Sequence, residues 1–142
     1  MMAVIKHSVD INASRERVYK AVATEKGLSN WWTKDVTADA EVGGKADFRF
    51  EGAGFHAVMN ITKLGPNAEV EWQCTDSVDE WIGSKFTFKI EERNRNSLLL
   101  FTQHYSKPIS DEEYGRFNFN WGYYLHSLKE YCETGQGKPY GA

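Results

Sequence analysis

Residues 111–133 read DEEYGRFNFNWGYYLHSLKEYCE, and this stretch decides the fold. It holds no proline, and its glycines fall only at positions 115 and 122. At about 100° per residue, Tyr114, Phe117, Trp121, Tyr124, Leu125, Leu128, Tyr131 and Cys132 gather within roughly 120° of arc, the width of a core-facing helix. Asn118, His126, Lys129 and Glu133 lie roughly opposite. Thr134-Gly135 supplies the stop, since glycine is the favoured residue just past a helix end. A helix with one broad apolar stripe needs a surface to cover, and the residues before it provide one.

From Asp35 to Tyr105 the period changes to two. Ala46, Phe48 and Phe50 alternate with Asp47, Arg49 and Glu51. Phe55, Ala57, Met59 and Ile61 follow the turn Gly52-Ala53-Gly54, and Val70, Trp72 and Cys74 follow Gly65-Pro66-Asn67. Phe86, Phe88 and Ile90 alternate with Lys85, Thr87 and Lys89, and Arg93-Asn94-Arg95-Asn96 turns the chain into Ser97–Tyr105. Short strands with one apolar face, joined by tight turns, make an antiparallel meander. Upstream, Ala3–Ile11 reads as a strand. Ser14 is placed to cap a helix carrying Val18, Ala21 and Val22, and a second short helical turn after Thr24 brings Leu28 toward Trp31 and Trp32. The expectation is one α+β domain over residues 1–142: a strand, two short helices, an antiparallel sheet of about six or seven strands in all, and a long helix laid on the sheet.

Length and composition agree. At 142 residues the chain suits one domain. A hydrophobic fraction of 41% with five Trp, seven Tyr and eight Phe excludes a disordered segment. Seventeen basic against twenty acidic residues give a net charge of -3, with no basic footprint for nucleic acid. No apolar run approaches the ~18–20 residues of a bilayer span, so no membrane insertion is expected. Lys6, His7 and Asp10 interrupt the place a signal peptide would need, which points to the cytoplasm. Cys74 and Cys132 are the only cysteines, without metal-ligand spacing, and no disulfide is expected in a reducing compartment.

No HExxH, GxSxG, P-loop or dinucleotide fingerprint is present. His7, His56, His104 and His126 are dispersed; a cross-strand pairing of His56 with His104 is conceivable, but no third ligand accompanies it, so no metal and no cofactor are expected. Catalytic residues are not assigned. The informative feature is the aromatic load on faces aimed inward. Rigid rings meeting across a concave sheet pack less completely than aliphatic side chains, and a gap there would take a small, mostly apolar ligand with a few polar anchors. The lining set is Trp31, Trp32, Phe48, Phe50, Met59, Trp72, Phe86, Phe101, Gln103, Trp121, Tyr124, Leu125 and Leu128. For each ring, a filled core is the plainer alternative. Gln103 is the anchor if it shares a face with Phe101 and Tyr105; with the parity reversed, His104 takes its place, because Leu98-Leu99-Leu100-Phe101 is apolar on both faces.

Phe119 and Tyr123 lie one turn apart on the otherwise polar side of the long helix. They are either a homodimer or partner patch, or they are covered by a loop or by the tail Lys138-Pro139-Tyr140.

Several blocks carry a resemblance. The opening Ile11-Asn12-Ala13-Ser14-Arg15-Glu16-Arg17-Val18-Tyr19-Lys20-Ala21, then Gly27-Leu28 and Trp31-Trp32, resembles the first block of the activator-of-heat-shock-chaperone-ATPase homologues. These belong to the START and birch-pollen-allergen-like superfamily of helix-grip proteins. Gly43-Gly44 with Ala46-Asp47-Phe48 looks like the next marker. Trp121-Gly122-Tyr123-Tyr124-Leu125, Ser127-Leu128-Lys129, Tyr131 and Glu133-Thr134-Gly135 are similar to the terminal helix. Glu25-Lys26 stands where relatives often show Asp-Pro. The resemblance implies a curved antiparallel sheet gripping the last helix around a deep cavity. It implies, first, a binder of a small hydrophobic or amphipathic molecule; the alternatives are a cyclase or hydrolase using Gln103, His104, Trp72 or Tyr124, and a chaperone partner. The eukaryotic activators carry a separate chaperone-binding domain for which 142 residues leave no room, so chaperone interaction ranks below ligand binding.

Overall fold

The computed structural model describes residues 2–142. The chain runs β1 (Val4–Ile11), α1 (Arg15–Ala23), α2 (Glu25–Trp31), β2 (Asp35–Ala38), β3 (Lys45–Phe50), β4 (Phe55–Gly65), β5 (Glu69–Asp76), a 3₁₀ turn (Asp79–Trp81), β6 (Lys85–Arg93), β7 (Asn96–His104) and α3 (Asp111–Thr134). The seven strands form one antiparallel sheet in the order β1-β7-β6-β5-β4-β3-β2. It is the expected α+β helix-grip arrangement, with α3 along the concave face.

Local chemistry sets the helix starts. Ser14 accepts the Arg17 backbone N–H at 3.2 Å, Thr24 accepts that of Gly27 at 3.0 Å, and Ser110 accepts that of Glu113 at 3.1 Å. Gly27 is where α2 crosses α1; a Cβ there would stand 2.3 Å from the Lys20 carbonyl oxygen. Curvature comes from β4, whose pairing with β5 slips between Val58 and Met59 and again between Ile61 and Lys63. Such bulges bend a strand and raise its twist, which wraps the sheet around α3.

The inward faces follow the alternation. Ala46, Phe48, Phe50, Ala57, Met59, Ile61, Val70, Trp72 and Cys74 are buried, as are Phe86, Phe88 and Ile90. On β7 the ambiguous parity resolves: Ser97, Leu99, Phe101 and Gln103 point inward and His104 faces solvent. The meander has one interruption. Between β5 and β6 the chain leaves the sheet at the 3₁₀ turn, which drives Trp81 into the interior, 3% exposed.

Two expectations are corrected. His56 and His104 do not pair across strands, because β4 and β7 are separated by β5 and β6; His56 instead stands 3.2 Å from Asp47 on the outer face. The tail does not cover Phe119 and Tyr123, which are 77% and 51% exposed. Tyr140 goes to the other flank, where its N–H bonds the Trp32 carbonyl and its carbonyl accepts from Lys34, beside Phe50. No helix among the described residues is long and apolar enough to cross a membrane.

Candidate functional site

The space between sheet and α3 is occupied ring against ring. Trp32 sits at its centre, with ring centroids 4.4 Å from Phe48, 5.1 Å from Trp121, 5.4 Å from Phe50 and 6.2 Å from Trp72. Phe101 meets Trp121 at 4.4 Å. Two of the buried indoles are matched: the Trp31 N–H donates to the Ala21 carbonyl at 2.7 Å, and that of Trp121 donates to Gln103 Oε1 at 2.8 Å.

At one end this packing stops short. The tip of the β3–β4 hairpin, the 3₁₀ turn, the Arg116–Tyr124 stretch of α3, Trp32 and Tyr140 surround an open cleft of about 340 Å³. Its walls are the rings of Trp32, Phe50, Phe55, Trp81, Phe117, Trp121, Tyr124 and Tyr140, together with Ala53 and Gly54; Arg116 and Asn120 complete the rim. Each wall has a sequence cause. Phe117, Trp121 and Tyr124 belong to the apolar stripe of α3, whereas Arg116 and Asn120 lie on its flank. Phe50 and Phe55 close the hairpin as cross-strand partners 5.4 Å apart. Gly52, at φ +90°, makes the hairpin tip, and the Tyr140 hydroxyl donates to the neighbouring Glu51 carbonyl at 2.7 Å.

Thirteen residues form the lining set read from the sequence. Trp32, Phe50, Trp121 and Tyr124 stand in the cleft wall. Trp31, Phe48, Trp72, Phe86, Phe101 and Gln103 are buried against Trp32 or Trp121 and back the wall, while Met59, Leu125 and Leu128 are buried outside the lining. The lining set read from the sequence does not include Ala53, Gly54, Phe55, Trp81, Arg116, Phe117, Asn120 or Tyr140. Trp81 lies between Glu80 and Ile82 outside any alternating run, and its only sequence signal is a large aromatic amid turn residues.

The cleft is electrically quiet. Arg116 is engaged by Glu113 at 2.6 Å, with Glu112 at 4.0 Å. Burial pushes the Tyr124 hydroxyl above the usual phenol range, with Tyr123 and Tyr140 adding to the rise, so it stays protonated at neutral pH. Behind the wall, burial raises the Tyr105 hydroxyl further, and the nearby Trp81 indole offsets part of that rise. The two approach without a well-formed bond, and neither the Trp81 N–H nor the Tyr105 hydroxyl has a partner among the described residues. The thiols are unreactive by environment: burial holds Cys74 at about 11 and Cys132 at about 12. His56 and His104 face away from the cleft, and Arg116 is the charged side chain in its lining.

A family model for activator of Hsp90 ATPase homolog 1-like proteins matches residues 12–133. The chain belongs to this family. The solution structure of an Aha1 dimer from Colwellia psychrerythraea is similar over 96% of this chain and 100% of that one, with 34% identity and a TM-score of 0.84. A crystal structure from Staphylococcus saprophyticus shares 19% identity, covers 96% of each chain and has a TM-score of 0.75. One from Mesorhizobium loti shares 16% identity over 90% of this chain and 95% of that one, also at 0.75. These last two share the fold. No curated protein sequence matches the chain. Within this activator-like family, then, the present member presents an aromatic-walled cleft at the mouth of its grip, with Trp81 and Tyr140 in the wall.

Proposed function

We propose that this protein binds a small hydrophobic or amphipathic molecule in the cleft beside α3, in the cytoplasm. The observation that carries the reading is the 340 Å³ opening walled by eight aromatic rings at the end of an otherwise packed interior. That volume falls at the small end of the roughly 300–1,000 Å³ typical of ligand sites, and apolar walls with a few polar groups are their usual make-up. A catalytic role for His56 or His104 lacks support, since neither reaches the cleft. A thermal-shift and native mass-spectrometry screen against lipids and aromatic compounds tests the reading. One class should raise the melting point, and silence from every small apolar molecule would remove it.

A second reading concerns partners. The similar protein from Colwellia psychrerythraea is a dimer, and Phe119 and Tyr123 stand exposed one turn apart on the outer face of α3. Aromatic side chains are enriched at interfaces, and we take a second copy of this chain as their occupant. Sedimentation of the wild type and of Phe119→Asp decides it: a dimer that the substitution dissociates supports the surface, whereas a wild-type monomer at tens of micromolar removes it. Contact with a 90-kDa heat-shock chaperone rests on the family description alone, and a pull-down with the purified chaperone tests it.

A further inference from the structure

We propose that the cleft takes an uncharged, flat aromatic molecule bearing two hydrogen-bonding groups along one edge, an inference that rests on the ligand-binding reading above. Three observations select this chemistry. The first is the shape of the wall. Trp81 and Trp121 line the cleft with ring planes within 10° of each other, their centroids 5.9 Å apart, and Trp32 lies within 22° of Trp81. Trp32 and Trp121 are 31° apart and all three indoles are nearly excluded from water, so the rings a guest meets are those of the half-buried Phe55, Phe117, Tyr124 and Tyr140. A planar guest can pack against these rigid rings, whereas a flexible acyl chain would give up rotamer freedom to occupy the same space.

The second observation is a row of polar groups on a single helix face. Asn120 and Tyr124 are four residues apart on α3, which separates them by about 6 Å along the axis and turns them to the same side. Both line the cleft, and neither the Asn120 amide nor the Tyr124 hydroxyl has a protein hydrogen-bond partner among the described residues. An amide offers both donor and acceptor, and the protonated phenol offers a donor. A guest with two hydroxyl or carbonyl oxygens on one edge satisfies both groups while its other edge stays apolar.

The third observation sets the charge. Arg116, one turn before Asn120 in the same row, is the cation a ligand carboxylate would seek. Its guanidinium is already held by Glu113 at 2.6 Å with Glu112 at 4.0 Å. Two carboxylates already offset its charge, so an anionic guest gains less from Arg116 than from a lone cation and meets repulsion from Glu113 and Glu112, whereas a neutral guest meets none.

Quenching of the tryptophan fluorescence, calibrated by calorimetry, tests this with four probes: a naphthalenediol, unsubstituted naphthalene, a naphthoate and decanoate. The diol should bind most tightly, by roughly tenfold over the naphthoate and decanoate. Asn120→Ala and Tyr124→Phe should each weaken the diol about threefold to tenfold, the size of one lost neutral hydrogen bond, and leave naphthalene unaffected. Thermal melts of both variants verify that they fold. Naphthoate or decanoate binding as tightly as the diol overturns the ligand class while the cleft reading stands. Unchanged diol affinity in both variants overturns the polar edge. If none of the four probes binds, the cleft reading falls and this inference falls with it.

Discussion

The indole N–H of Trp121 on α3 donates to Gln103 Oε1 on β7 at 2.8 Å, and both side chains are essentially excluded from water. The Gln103 amide nitrogen in turn reaches the buried Ser84 hydroxyl at 3.4 Å. This chain ties the long helix to the end of β7, beside the edge strand β1, and fixes an indole that forms part of the cleft wall. Gln103 therefore acts on the cleft through Trp121 rather than from within it. Replacing Gln103 by Leu keeps similar bulk but orphans the Trp121 donor, and an unsatisfied buried donor costs about 1–3 kcal/mol. Urea unfolding of Gln103→Leu should show a loss in that range, and an unchanged midpoint would mean the bond carries no stability.

Tyr105 supplies the opposite case. Its hydroxyl and the Trp81 indole N–H are buried side by side without a partner among the described residues. Removing an unsatisfied buried polar atom relieves a desolvation cost instead of breaking a bond. Tyr105→Phe is expected to be neutral or to stabilise by up to about 1 kcal/mol, measured by the same unfolding experiment. A loss above about 1 kcal/mol would reveal a partner that the static arrangement does not show.

The two periodicities carried most of the fold. A 3.6-residue stripe in α3 and period-two faces in β3 to β7 are each imposed by one-sided burial, and one-sided burial leaves a local record in the chain. The cleft left a fainter record because it is built where elements end. Phe55 opens a strand, Trp81 sits in a 3₁₀ turn, and Tyr140 arrives from the tail, so their neighbours carry no repeating pattern. Gln103 is intermediate. Its inward position depended on the parity of a strand whose Leu98–Phe101 run is apolar on both faces, and only pairing with β1 and β6 selects one register. The inward aromatics read as cavity lining are for the most part the backing of the cleft, since sequence reports which face is buried but not where packing ceases.

Tyr140 holds the hairpin tip at a single point. Its hydroxyl bond to the Glu51 carbonyl is side-chain chemistry, while the tail itself is kept in place by backbone bonds to Trp32 and Lys34. Tyr140→Phe should leave the tail docked and free the tip. The expected global loss is about 0.5–1.5 kcal/mol, with faster amide exchange at Ala53, whose N–H closes the turn on the Phe50 carbonyl at 3.0 Å. Exchange at Ala53 that matches the wild type would show that the hairpin stands without this contact.

The two thiols set an alkaline limit. Burial raises Cys74 from 9.0 to about 11 and Cys132 from 9.0 to about 12. Both groups ionise more readily once unfolded, so the native state binds more protons than the unfolded state above pH 9. Stability from this source is complete below the unfolded value and declines as the pH rises from there toward the native values. By pH 10 the decline amounts to about 1 kcal/mol per thiol, counting only ionisation of the unfolded chain. Unfolding free energies at pH 8 and pH 10 for the wild type and for the double variant Cys74→Ala, Cys132→Ala check this, with the variant showing the smaller decrease. In the native protein at pH 8 both thiols should resist a disulfide reagent that modifies them rapidly in urea, because a buried, protonated thiol is neither accessible nor nucleophilic. Rapid modification of either one without denaturant would place that cysteine in a far more open setting than the interior of this fold.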